Sequence, residues 1–146
     1  MPERETLARA QEDAREGKSA STQAGEFVRE EMHHVREGKH GARSPQQAIA
    51  IGLSKARRAG VKLNAPKGPA SLRRKAAQDE KAGERPHRAA SRTRSRATER
   101  ALKREPRSSA SHRALSRQTK TAAKKRGKSA RSKAAVKAAR TRRSHR

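Results

Sequence analysis

The chemistry in this chain lies in its cations. Lys103, Arg104, Lys120, Lys124, Lys125, Arg126, Lys128, Arg131, Lys133, Lys137, Arg140, Arg142 and Arg143 crowd the last third of the sequence. An ammonium or guanidinium group pairs with phosphate oxygens and releases the counterions condensed on a polyanion. Base stacking is not on offer in this segment, because the single aromatic residue of the chain is Phe27. The expected interaction is therefore electrostatic and reads base sequence poorly. These residues are the candidate nucleic-acid contacts, with DNA favoured over RNA. A tail that merely solubilises the chain is the plain alternative.

Other chemistries fail on residue type or spacing. There are no cysteines, which removes disulfides, thiolate nucleophiles and thiolate zinc sites. His33 and Glu37 stand one helical turn apart, a usable ligand pair, and His34 and His40 lie close in sequence. No fourth ligand is placed, and neighbouring histidines on a helix face are usually just solvated, so no metal and no cofactor are expected. Gly17-Lys18-Ser19 and Gly127-Lys128-Ser129 mimic the end of a phosphate-binding loop. Glu12 and Ala122 stand where that loop needs glycine, and no strand precedes either copy. Pro66-Lys67-Gly68-Pro69 lacks the Arg-Gly-Arg-Pro core of an AT-hook. Lys124 to Lys128 matches a nuclear localisation signal, a match with little meaning in so basic a chain. No nucleophile, base and orienting group form a constellation, so an enzyme is not expected.

The elements that must position these residues divide at Asn64. The chain has 146 residues and a formal net charge of +26. Residues 1–64 hold 12 Lys+Arg against 9 Asp+Glu, and residues 65–146 hold 28 against 5. Val, Ile, Leu, Met and Phe number 11 in the first part and 4 in the second. A core is thus confined to residues 1–64, near the lower limit for an independent domain. The expected fold is mostly α: a small three-helix N-terminal head over 1–64, then a largely disordered, strongly basic tail over 65–146.

In the head, residues 2–16 read as a helix with Leu7, Ala10 and Ala14 on one face, ended by Gly17. Residues 23–37 form the second helix, capped by Ser21 or Thr22. Its apolar stripe is Ala24, Phe27, Val28, Met32 and Val35, with Glu31 at the edge. The third helix has Ser44 as cap, Pro45 in the first turn, Gln47 closing a capping box and Gly60 as stop. It carries two apolar stripes, Ile49–Leu53–Ala56 and Ala48–Ile51–Ala59, and so needs two partners, or one partner and an oligomer. Seven residues, 38–44, separate it from the second helix, too many for a helix-turn-helix. Arg15-Glu16-Gly17-Lys18 recurs as Arg36-Glu37-Gly38-Lys39, a weak internal repeat. Residues 64–69, with two prolines and a glycine, form a linker. Beyond it, residues 72–79, 98–103 and 132–140 are expected to be helical only transiently or on binding.

Gln47 to Gly60, with Met32 and Glu37-Gly38-Lys39 before it, resembles a small bacterial family of unknown function. That family's pattern is a Met-containing helix, a Gly-Lys turn and then Q-A-I-A-I-x-L-S-x-A-R-x-A-G. The resemblance implies a bacterial, cytoplasmic protein and no particular activity. The segment from Lys120 onward is similar in composition to Lys/Ala-rich linker-histone tails and bacterial histone-like proteins. Together these readings lead to a non-enzymatic, nucleoid-associated nucleic-acid binder whose head associates with itself or with a protein. An adaptor tethered by its tail, or an RNA- or ribosome-associated protein, is the alternative. No apolar run approaches a membrane span, and no membrane partner is expected.

Overall fold

The computed structural model describes residues 2–85 and 91–144. The described residues form six α-helices and one 3-10 turn, in two compact units, residues 1–111 and 112–146.

Unit 1 is built on α1 (Arg4–Arg15), α2 (Ala20–Glu37) and α3 (Pro45–Arg58). Gly17 ends the run after α1 at φ +70°, and Lys18 N–H returns to the Asp13 carbonyl at 2.8 Å. Ser19, not Ser21 or Thr22, caps α2, its hydroxyl accepting from Thr22 N–H. Ser44 caps α3 as its sequence predicts, accepting from Gln47 N–H at 3.2 Å. The Gln47 side chain takes Arg43 N–H at 2.6 Å. Ala10, Ala24, Phe27, Ala56 and Val61 form the core, with Leu7, Leu53 and Leu63 packed against it.

α3 does have more than one partner: it packs on α2, on α4 (Ala70–Gly83) and on the 3-10 turn Arg107–Ala110. Its most deeply buried line is neither expected stripe but Ala48, Gly52 and Ala56. A Cβ on Gly52 would lie 2.7 Å from Val28 Cα, so α2 and α3 meet backbone to backbone. Ile49, Ile51 and Leu53 flank that contact, half-buried.

The expectation of a largely disordered segment over 65–146 is overturned. α4, α5 (Arg92–Lys103), the 3-10 turn and α6 (His112–Ser144) occupy its described part. α4 docks without a large apolar side chain; Leu72 is 43% exposed. Its buried residues are Ala76 and Asp79. Asp79 accepts from Ser54 Oγ at 2.7 Å and Arg58 Nε at 2.8 Å, both on α3, and from Lys75 at 2.5 Å. The last turn of α5 and the chain after it are stitched to the α2–α3 turn by main-chain hydrogen bonds. Gly41 N–H donates to the Leu102 carbonyl at 2.8 Å, and Ala42 N–H to that of Pro106 at 3.1 Å. Arg36 Nε donates to the Ala110 carbonyl at 2.9 Å, and Arg107 donates to the Arg36 carbonyl.

Glu31, expected at the edge of its stripe, is fully buried. Lys55 Nζ is 2.7 Å from its Oε2 and 3.0 Å from Glu30 Oε1, and His40 Nε2 is 2.9 Å from Glu31 Oε1. Burial pushes the Lys55 ammonium down in pKa, but Glu31 and Glu30 outweigh it and hold the group above its ordinary value. The two glutamates enter the interior because one lysine from α3 meets both.

Unit 2 is α6. Alanine and other good helix formers fill it, no proline interrupts it, and its length exceeds the roughly 12–15 residues an isolated helix needs. Gly127, at φ 75° and ψ 167°, divides it into two helical runs. No residue of α6 is buried. Among the described residues no helix is long and apolar enough to cross a membrane.

Candidate nucleic-acid interface

Eleven of the thirteen candidate contacts lie on α6: Lys120, Lys124, Lys125 and Arg126 before Gly127, and the other seven after it. Lys103 and Arg104 lie elsewhere, at the end of α5 in unit 1. Lys103 is also partly engaged, its Nζ 2.7 Å from Glu99, and that hydrogen bond holds the Glu99 carboxyl below its ordinary range.

Before Gly127, the 100° step of a helix places Arg113, Arg117, Lys120 and Lys124 on one face, at i, i+4, i+7 and i+11. All four are exposed. Arg113 and Arg117 are absent from the sequence-derived set, although their spacing to Lys120 is plain in the sequence once a helix is granted. After the break, Lys133, Lys137 and Arg140 share a face, and Lys128, Arg131 and Arg142 share another. The cations of this run are spread round much of the helix rather than gathered in one seam.

The run before Gly127 carries six Lys+Arg and the run after it seven. At 1.5 Å per residue these runs are about 22 and 25 Å long, roughly one cation per 3.6 Å. Duplex DNA carries one phosphate per about 1.7 Å of axis. The helix is thus sparser in charge than duplex DNA.

The two units differ in what their cations face. In unit 1, Arg9 pairs with Glu26 at 2.7 Å, Lys18 with Asp13 at 2.8 Å, Lys55 with Glu31 at 2.7 Å and Arg58 with Asp79 at 2.8 Å. Residues 112–146 hold 14 Lys+Arg and no Asp or Glu. No acidic side chain within unit 2 can neutralise them. Like charges at i, i+4, such as Arg113 with Arg117 and Lys133 with Lys137, each oppose the helix by about 0.2–0.5 kcal/mol. An external polyanion would remove that opposition.

A family model described as Family of unknown function (DUF6496) matches residues 15–67, from the end of α1 through α3. The match lies wholly within unit 1 and includes no residue of α6. No curated protein and no solved structure matches the chain.

Proposed function

We propose that this chain is a non-enzymatic, sequence-nonspecific nucleic-acid-binding protein, that duplex DNA of the nucleoid is its partner, and that α6 supplies the contact. The observation that carries this reading is the 14 cations of unit 2 with no carboxylate among them. The basic face Arg113–Arg117–Lys120–Lys124 lies along one strand's phosphates, and Lys128 to Arg143 continue the contact past Gly127. Lys103 and Arg104 of unit 1 add to it. Without an aromatic side chain in unit 2, affinity comes from counterion release and bases go unread.

The test is a salt titration of the full chain on two unrelated duplexes. Engagement of about 6–10 phosphates lowers affinity by roughly 10³–10⁵ between 50 and 200 mM salt, equally on both. A variant with Arg113, Arg117, Lys120 and Lys124 all changed to Gln has a shallower slope by about 3.6, at 0.9 per lost phosphate. An unchanged slope in that variant counts against the face, and a preference above about tenfold for one duplex counts against nonspecific binding. Release of the protein from a cell extract by RNase and not by DNase would make RNA the partner.

A further inference from the structure

The geometry points to a divalent-metal site in unit 1, made by Glu31, His34 and His40, that takes a cation of the zinc class. One ligand atom from each of these residues lies within 4.8 Å of the others. Ligands stand about 2.0–2.2 Å from such an ion in a tetrahedron, so they lie about 3.3–3.6 Å from one another. Movements of about 1 Å shared among the side chains complete the set.

The hydrogen bonds around the cluster prepare it. His40 Nδ1 is 3.0 Å from the Gly41 carbonyl oxygen. That oxygen can only accept, so Nδ1 carries the proton. In the neutral ring Nε2 then presents a lone pair, and 2.9 Å away stands Glu31 Oε1, also a lone-pair donor. Two lone pairs at that distance need a cation between them, a proton or a metal ion. His34 is held in the same way: its Nε2 is 2.9 Å from Glu3 Oε1. The carboxylate accepts, Nε2 carries the proton, and Nδ1 is left as the basic nitrogen. A histidine whose second ring N–H is given to a carboxylate or a backbone carbonyl is the usual arrangement of a metal-bound imidazole. Here both histidines have it.

Glu31 supplies the independent observation. It is fully buried, and the groups nearest its oxygens are the Lys55 ammonium at 2.7 Å and His40 Nε2 at 2.9 Å, neither in good hydrogen-bond alignment. Charge does not forbid an ion. Glu3, Glu30, Glu31 and Glu37 face Lys39 and Lys55 in this network, and Glu5, Arg9 and Arg29 line the cleft beside it, which leaves one net negative charge with neutral histidines. An open cleft of about 600 Å³, lined among others by Glu3, Glu30, Glu37 and His34, brings solvent and ions to one edge of the site. Three protein ligands leave a further position for water. The bound ion would tie α2 to the turn that follows it.

His33 is the internal control. It is adjacent in sequence, exposed, and outside the cluster. Tag-free full-length protein, freed of nucleic acid, is titrated calorimetrically with zinc chloride, and with cobalt chloride while visible absorption is followed. The expected result is one equivalent of zinc, a cobalt d–d band, and binding weakened at least tenfold in both His34→Ala and His40→Ala. His33→Ala binds as the parent does. Glu3→Gln, which acts through His34, weakens binding by about 10–100-fold. Absence of saturable one-to-one uptake by the parent overturns the site, as does equal loss in His33→Ala and His34→Ala. Should His40→Ala fail to fold, His34→Ala and the parent's cobalt spectrum decide.

Discussion

At the scale of single residues, two glycines in neighbouring helices make opposite demands. Gly52 of α3 faces Val28, and a Cβ there would stand 2.7 Å from Val28 Cα and 3.0 Å from its nitrogen. Helix propensity favours Gly52→Ala by about 1 kcal/mol, but backbone must move to admit the methyl group. Overpacking of this kind costs roughly 1–3 kcal/mol, so a net loss of melting temperature is expected. Gly25 of α2 has nothing within 4 Å of its Cβ position. Gly25→Ala therefore gains the propensity alone and raises the melting temperature by an amount equivalent to about 0.5–1 kcal/mol. Paired thermal melts check both signs, and a stabilising Gly52→Ala would refute the close contact of α2 with α3. Asp79 sets a third expectation. Burial pushes its carboxyl up, but hydrogen bonds from Lys75, Ser54 and Arg58 outweigh this and hold it below its ordinary value. A depressed folded pKa stabilises the fold above the unfolded value, about 3.9, and that contribution is lost as pH falls through the folded one. Asp79→Asn should lower stability at pH 7 by about 1–2 kcal/mol, since Arg58 and Lys75 are half-exposed and water takes part of their charge. The difference between parent and variant should shrink below pH 4; a difference independent of pH from 3 to 7 would show that Asp79 acts through shape alone.

At the scale of elements, α6 is held by local propensity and opposed by its own charge. No residue in it is buried and no acidic residue lies in its unit. Its helix content should therefore respond to ionic strength in a way that α1 to α3 do not. Raising salt from 10 to 500 mM shortens the Debye length from about 30 Å to under 8 Å. Helicity by circular dichroism of the full chain should rise with it, and rise again on adding duplex DNA. Gly127→Ala should act in the same direction. Gly127 has positive φ, which only alanine's Cβ makes strained, and nothing within 4 Å of its Cβ position, so alanine disfavours the break and favours a continuous helix by about 1 kcal/mol at that residue. A fall in helicity in Gly127→Ala would mean that the break is imposed by something other than the glycine.

At the scale of the whole molecule, the two units divide cation chemistry between them. Unit 1 pairs many of its cations with its own carboxylates, and unit 2 has none to pair with. Removal of residues 112–146 should abolish most DNA binding in a gel-shift assay. On the full chain, scrambling the duplex at constant length should change affinity by less than about 1 kcal/mol, because one well-read base pair is already worth about 1–3. Retained binding by residues 1–111 would move the interface to unit 1, with Lys103, Arg104 and the exposed arginines of α5 as its next candidates.

What the sequence determined by itself is what local rules govern. The three helices of the head, the Ser44 cap, Pro45 in the first turn of α3 and the positive-φ glycines 17, 38 and 60 follow from neighbours in the chain. So does the concentration of charge after Asn64, which needs no fold to be counted. Tertiary structure decided where α4 and the segment after α5 go. Their docking rests on Ala76, Asp79 and main-chain groups, none of which gives a hydropathy signal, so a count of large apolar residues read this segment as disordered. It also decided the fate of Glu31. On α2 alone its carboxylate belongs at the edge of the stripe. It is buried only because α3 brings Lys55 to it and the turn after α2 brings His40, residues 24 and 9 positions further on. Pairing at such separations depends on how helices cross, and that is a property of the assembled unit and not of any stretch of its chain.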